Sequence, residues 1–133
     1  MTRRTPEERA LIKLYADVTE KMVQASIEKA AKLVGFGMIY HTHRSDRSPA
    51  GFPDLVMLHR SGRMVVVECK RQDNDPTDDQ VAWLDGFDDL SLGIKLDETY
   101  KLSQDRPPWV AVYVAKPSNL ADVLAELGKY AAL

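Results

Sequence analysis

The feature that most constrains this chain is the segment GFPDLVMLHRSGRMVVVECK, residues 51–70. Two apolar runs, Leu55 to Leu58 and Met64 to Val67, flank a Ser61-Gly62 turn, which is the pattern of a β-hairpin. The second run is apolar at every position. Side chains alternate along a strand, so Met64 and Val66 share one face while Val65, Val67 and Cys69 share the other. A strand apolar on both faces belongs at the centre of a covered sheet. The hairpin therefore points to a layered α/β domain.

Charged residues interrupt this hairpin at its open end. Asp54 precedes the first run, and Glu68 and Lys70 follow the second, two residues apart and thus on one face. Burying an unpaired carboxylate there would cost several kcal/mol, so it needs compensation. Turn length decides what lies opposite. A three-residue Arg60-Ser61-Gly62 loop with Gly62 left-handed sets His59 against Arg63, Leu55 against Val67 and Asp54 against Glu68. A two-residue loop sets Asp54 against Cys69 instead. In the first register two carboxylates oppose each other at a Cβ separation of about 4.5–5.5 Å. That is unfavourable without a divalent cation between them, and oxygen donors suit Mg²⁺ or Mn²⁺. Lys70 would then orient a metal-activated water or stabilise charge on a phosphoryl group. The plainer alternative is a solvated Glu68–Lys70 pair on a fraying strand end.

The rest of the chain sets the frame. Its 133 residues suit one domain, and its apolar and charged fractions are those of a globular protein. No run of about 18 apolar residues exists to span a membrane. The N-terminus turns acidic before any apolar core, so no secretory signal is expected. Cys69 is the single cysteine, and no Cys/His cluster has structural-zinc spacing. A cytoplasmic protein is the expectation. The formal net charge of −2 argues against a basic coat, but the distribution is uneven. Arg44, Arg47, Arg60, Arg63, Lys70 and Arg71 form a basic zone, followed by an acidic run from Asp73 to Asp89. That layout suits local contact with a polyanion.

Thr5-Pro6-Glu7-Glu8 reads as a capping box with proline at the first helical position. Leu11, Leu14, Val18, Met22 and Ala25 recur near helical spacing, and Val23, Ile27, Ala30 and Val34 form a second, rotated series. One long helix with a drifting stripe, or two helices jointed near Asp17, would end at Gly35. MIYHTH is a first strand, and RSDRSPAG a polar loop. Thr77 begins a helix running to about Gly86 or Leu90, residues 91–108 form a connector, WVAVYVAK is a strand, and SNLADVLAELGKY is a closing amphipathic helix.

Taken in order, GFPDLVML, MVVVECK and DDQVAWL resemble the VRR-NUC (virus-type replication-repair nuclease) branch of the PD-(D/E)XK nucleases. The likeness covers roughly residues 19–127. Gly51-Phe52-Pro53-Asp54 matches the Gly-x-Pro-Asp motif and Glu68-Cys69-Lys70 the Glu-x-Lys motif. Glu20 and Gln24 match a Glu and Gln four apart on an early helix, and Gln80 a Gln on the following helix. The resemblance implies metal-dependent phosphodiester hydrolysis. Asp54, Glu68 and the Cys69 carbonyl would hold Mg²⁺ or Mn²⁺, with Glu20 contributing directly or through water. It also implies DNA, often branched like a Holliday junction, as substrate, and homodimers in viral replication, recombination or repair. Gln80 also completes a Thr77-x-x-Gln80 capping box, which accounts for it without catalysis; both roles coexist if the helix start faces the scissile phosphate.

The expected architecture is a restriction-endonuclease-like mixed sheet of about four strands flanked by helices, in the order α-β-β-β-α-β-α. Residues 1–18 would be a helical extension, and 91–108 an insertion beyond the family pattern. His43 would touch phosphate or solvent; metal ligation by His41 and His43 is the sharper alternative. Arg44, Arg47, Arg71 and Gln24 complete the expected nucleic-acid contacts. Trp83 and Trp109 read as core residues before base-stacking platforms. The acidic run is a solvated helix face, or a surface that keeps DNA away.

Overall fold

The computed structural model describes residues 3–42, 49–93 and 107–133. Helices α1 (Pro6–Leu14) and α2 (Glu20–Leu33) lead into strands β1 (Phe36–His41), β2 (Leu55–His59) and β3 (Met64–Cys69). Helix α3 (Asp78–Gly93), strand β4 (Val110–Ala115) and helix α4 (Leu120–Gly128) follow, with short 3-10 turns on either side of α4. The sheet order is β1-β2-β3-β4; β1 and β3 run antiparallel to β2, and β4 is parallel to β3.

The N-terminal stretch resolves into two helices. Thr5 caps α1 through a reciprocal box, with Glu8 N donating to Thr5 Oγ1 and Thr5 N to Glu8 Oε2. A second cap, Thr19, accepts from Met22 N and starts α2 afresh. The restart re-aims the apolar stripe. Leu14 and Met22 of the first series are exposed and α1 buries nothing, whereas Val23, Ile27 and Ala31 are fully buried. The core helix is α2, and α1 is an extension. Gly35, at φ +103°, ends the turn after α2, and a Cβ there would lie 2.8 Å from the His59 ring.

The hairpin register is the three-residue one. Leu55 pairs with Val67 and Leu58 with Met64, His59 N donates to Arg63 O, and Gly62 has φ +89°. Strand β3 lies between β2 and β4, and Val65, Val66 and Val67 are fully buried. Val65, Val67 and Cys69 join Leu55, Met57, Ala111, Val23, Ile27 and Leu127 in one cluster, so α2 and α4 cover that face. Val66 and Glu68 face the other way, toward α3, whose Leu84 is buried and whose Gln80 reaches Glu68. Three buried valines, each worth about 1.5–3 kcal/mol, give the strand the margin to carry polar residues at its end.

Several boundaries differ from the sequence reading: β1 spans Phe36–His41, starting before MIYHTH and ending at His41, and β4 spans Val110–Ala115 within WVAVYVAK. Helix α3 continues through Gly93, past the Gly86 or Leu90 stop. A glycine inside a helix costs only about 1 kcal/mol, and here α3 packs on β3 and β4. The connector beginning at residue 91 is thus helical at its start; residues 94–106 lie outside the described ones, and Pro107 is buried where the chain returns.

Candidate active site

Asp54 sits just before β2, where the strand ladder ends. Thr42, following β1, fixes it from one side: its N–H donates to Asp54 O and its hydroxyl to Pro53 O, both at 2.9 Å. From the other side Cys69 N donates to Asp54 Oδ2 at 2.7 Å. The side chain thus takes the place of the next ladder bond, a charge-assisted and therefore strong contact. On a strand the carbonyl points to the same side as the N–H, so the Cys69 carbonyl faces the Asp54 side as well.

Among the described residues Glu68 is the most buried carboxylate, at 2% exposure. Its Oε1 accepts from Gln80 Nε2 at 3.0 Å and lies 3.7 Å from Lys70 Nζ. Its Oε2 is buried and receives no hydrogen bond from a donor group, the Asp54 carboxylate being its polar neighbour. Burial first, and then the Asp54 charge, push the Glu68 carboxyl up to about 8, against the opposing pull of Lys70. Lys70 is itself buried, at 8% exposure, and its N–H continues the parallel ladder by donating to Ala115 O.

Gln80 closes the expected capping box and also reaches Glu68. Its Oε1 accepts from Thr77 N and its own N–H donates to Thr77 Oγ1, closing the capping box, while Nε2 turns to Glu68. Gly51 brings the two motifs together. At φ +81°, a Cβ there would lie 2.4 Å from the Asp79 carbonyl carbon and 2.6 Å from Gln80 N. Only glycine lets the Gly-Phe-Pro-Asp loop pack against the first turn of α3. Trp83 Nε1 secures the same loop by donating to Ala50 O.

The other expected site residues are less concentrated. Glu20 opens α2 and is partly exposed; its charge contributes, after burial, Asp54 and Glu68, to pushing the Cys69 thiol up. Gln24 lies one turn further on, also partly exposed. Among the described residues no three His, Cys, Asp or Glu side chains converge as an ion-holding group, so the side-chain donors at the hairpin end are Asp54 and Glu68. Arg71 is tied down: its guanidinium donates to Ala16 O in the α1–α2 joint and lies 3.6 Å from Asp73. His41 ends β1, partly buried; His43, Arg44 and Arg47 lie outside the described residues.

The basic zone divides in a way its spacing in sequence does not show. Arg60 donates to the Leu133 and Ala131 carbonyls and so holds the C-terminus. Arg63 is buried, donates to Pro107 O and stacks over Trp109 at 4.2 Å. Both lie at the turn end of the hairpin, away from Asp54 and Glu68. Thr42 gave no chemical signal in the sequence and acts through the β1–β2 pairing; Gly51 stood out only as part of the Gly-x-Pro-Asp motif, and its contact with α3 is made only in the folded chain. His59 is likewise structural, bonded to Ser61 Oγ and Val34 O.

The described residues fit a divalent cation in chemistry. The donor set is all oxygen, and the buried Glu68 carboxyl faces a second carboxylate, Asp54, with no donor group from elsewhere on its Oε2. Comparison of the chain with family models, with curated proteins and with solved structures found no match. Among the described residues no helix is long and apolar enough to cross a membrane.

Proposed function

We propose that the chain is a divalent-metal-dependent DNA endonuclease of the VRR-NUC type, with the sheet and helices in a restriction-endonuclease-like arrangement. The observation that carries the reading is the end of the hairpin, where the buried Glu68 and Lys70 meet Asp54 and two carboxylates face each other, with Glu68 Oε2 receiving no donor from the rest of the chain. Two opposed carboxylates hold together without a cation only by sharing a proton. A metal site turns Glu68 Oε2 into a ligand.

Asp54, Glu68 and the Cys69 carbonyl would hold Mg²⁺ or Mn²⁺, with Glu20 approaching through water. When bound, the cation supplies Lewis-acid polarisation of the phosphoryl group and a more acidic water. The residues of the chain supply position and charge. Cys69 N holds one Asp54 oxygen in place. Gln80 Nε2 fixes the plane of the Glu68 carboxylate. Lys70, desolvated and beside Glu68, presents a cation to the scissile phosphate and orients the attacking water. Branched DNA, a homodimeric assembly and a role in viral replication, recombination or repair belong to the same proposal, on the strength of the motif resemblance alone.

A second reading rests on one observation. Glu68 Oε1 is already engaged by Gln80 and Lys70, the arrangement expected of a nucleic-acid-binding module that keeps the fold without cutting. Incubation with single-stranded, duplex, flap and four-way DNA in Mg²⁺, Mn²⁺ and EDTA separates the two. Cleavage in Mn²⁺ that EDTA abolishes supports the nuclease. Binding without cleavage supports the module.

A further inference from the structure

Beside the carboxylates lies an apolar groove with no part in the proposed chemistry. Ala82, Trp83, Gly86, Phe87 and Leu90 of α3 line a cavity of about 320 Å³. That is at the small end of the range for ligand pockets, about 300–1,000 Å³. Its walls are aromatic. Phe52 meets Trp83 edge-on with centroids 5.2 Å apart, and Phe87 lies 6.1 Å from Trp83. The indole is held in place by its bond to Ala50 O yet remains 36% exposed. A Cβ at Gly86 would meet nothing within 4 Å, so the floor is open.

The groove neighbours the site along α3. Trp83 is one turn along α3 from Gln80, which holds Glu68, and Phe52 is two residues from Asp54. A ligand presenting a phosphate to Asp54 and Glu68 therefore has its adjoining group at Trp83. Charge then sorts the parts of that ligand. Asp89 is exposed on α3, Asp85 and Asp88 line its other side with Val112 and Val114, and among the described residues no Lys or Arg lines the groove. A phosphate backbone laid along α3 would be repelled, whereas Lys70 stands at the carboxylates. An uncharged, flat, apolar-faced group fits the groove where a duplex backbone does not.

We propose that this groove receives an unpaired nucleobase next to the scissile phosphate, stacked on Trp83, so that the chain selects strands with an unstacked nucleotide over continuous duplex. The proposal rests on the nuclease reading for the position of the phosphate. Stacking on an aromatic side chain is sequence-tolerant and contributes substantially per base.

The test is fluorescence anisotropy in EDTA with a labelled single strand and a blunt duplex, for wild type, Trp83→Leu and Trp83→Phe. Leucine keeps apolar bulk without a ring face; phenylalanine restores the face. Expected is about a tenfold loss of single-strand over duplex preference in Trp83→Leu, restored in Trp83→Phe, since both variants equally lose the bond to Ala50 O. If Trp83→Leu fails to give a wild-type melt, Phe87→Leu takes its place. Equal losses on both DNAs, or no loss on the single strand, would overturn the proposal. So would a change of oligomeric state by sedimentation, which would make the groove a contact between copies. Because binding is read without metal, the two readings fail separately. Wild type that prefers single strands through Trp83 but never cuts sinks only the nuclease. Wild type that cuts while Trp83→Leu keeps its preference sinks only the groove.

Discussion

Gln80 Nε2 donates to Glu68 Oε1 at 3.0 Å while the other end of the same amide caps α3. Helix start and carboxylate are thereby joined in one side chain. Gln80→Ala removes both bonds, and a loss of about 1–3 kcal/mol is expected in urea melts. Gln80→Glu keeps the cap acceptor but sets a second acid against Glu68. Its deficit should be small at pH 5 and grow as the pH rises, and melts at pH 5 and pH 8 check this.

Glu68 binds its proton more tightly in the folded chain than in the unfolded one, because burial and then Asp54 raise its affinity. Its contribution to stability is therefore complete below about pH 4.5 and is lost as the pH rises toward about 8. In EDTA the urea stability should decline across that window, by at most about 1.4 kcal/mol per pH unit from this one group. Glu68→Gln should flatten the decline. Added Mn²⁺ should oppose it, since a cation stabilises the ionised form.

Gly51 marks the close approach of the Pro53-Asp54 loop to α3. Gly51→Ala meets both a left-handed φ and the Asp79 backbone, so a loss of at least about 1–3 kcal/mol is expected. The melting temperature reads it directly. DNA cleavage in Mn²⁺ should fall further than the stability loss explains, because the loop carries Asp54.

Cys69 is buried, and burial pushes its thiol up, out of the reactive range. A chromogenic disulfide reagent at pH 8 should leave the native chain untouched for hours and titrate one thiol after denaturation in guanidinium. Rapid reaction of the native chain would contradict the packing of β3 against α2.

The hairpin was legible because strand alternation and turn length are local rules. Three loop residues fixed Leu55 opposite Val67, and that register carried Asp54 to the Glu68 end of the hairpin. The cap made by Gln80 was legible for the same reason, from Thr77 three residues before it. What escaped depends on distant partners. Nothing near Thr42 in sequence tells that it would hold Pro53 and Asp54, and nothing near Arg60 tells that its guanidinium would hold the C-terminus. The α3 boundary escaped because packing on the sheet outweighs the weak helix propensity of Gly86. The restart at Thr19 is a local cap hidden beneath two overlapping apolar periodicities.

The central claim is that the buried end of the hairpin hydrolyses phosphodiester bonds. Its most direct measurement is single-turnover cleavage of a labelled four-way or flap DNA in Mn²⁺ by wild type and Lys70→Ala, with folding of both verified by melting. The account predicts cleavage by wild type, abolished by EDTA, and a rate at least about a hundredfold lower in Lys70→Ala. No cleavage by wild type on any DNA structure, or equal rates for the two proteins, would contradict it.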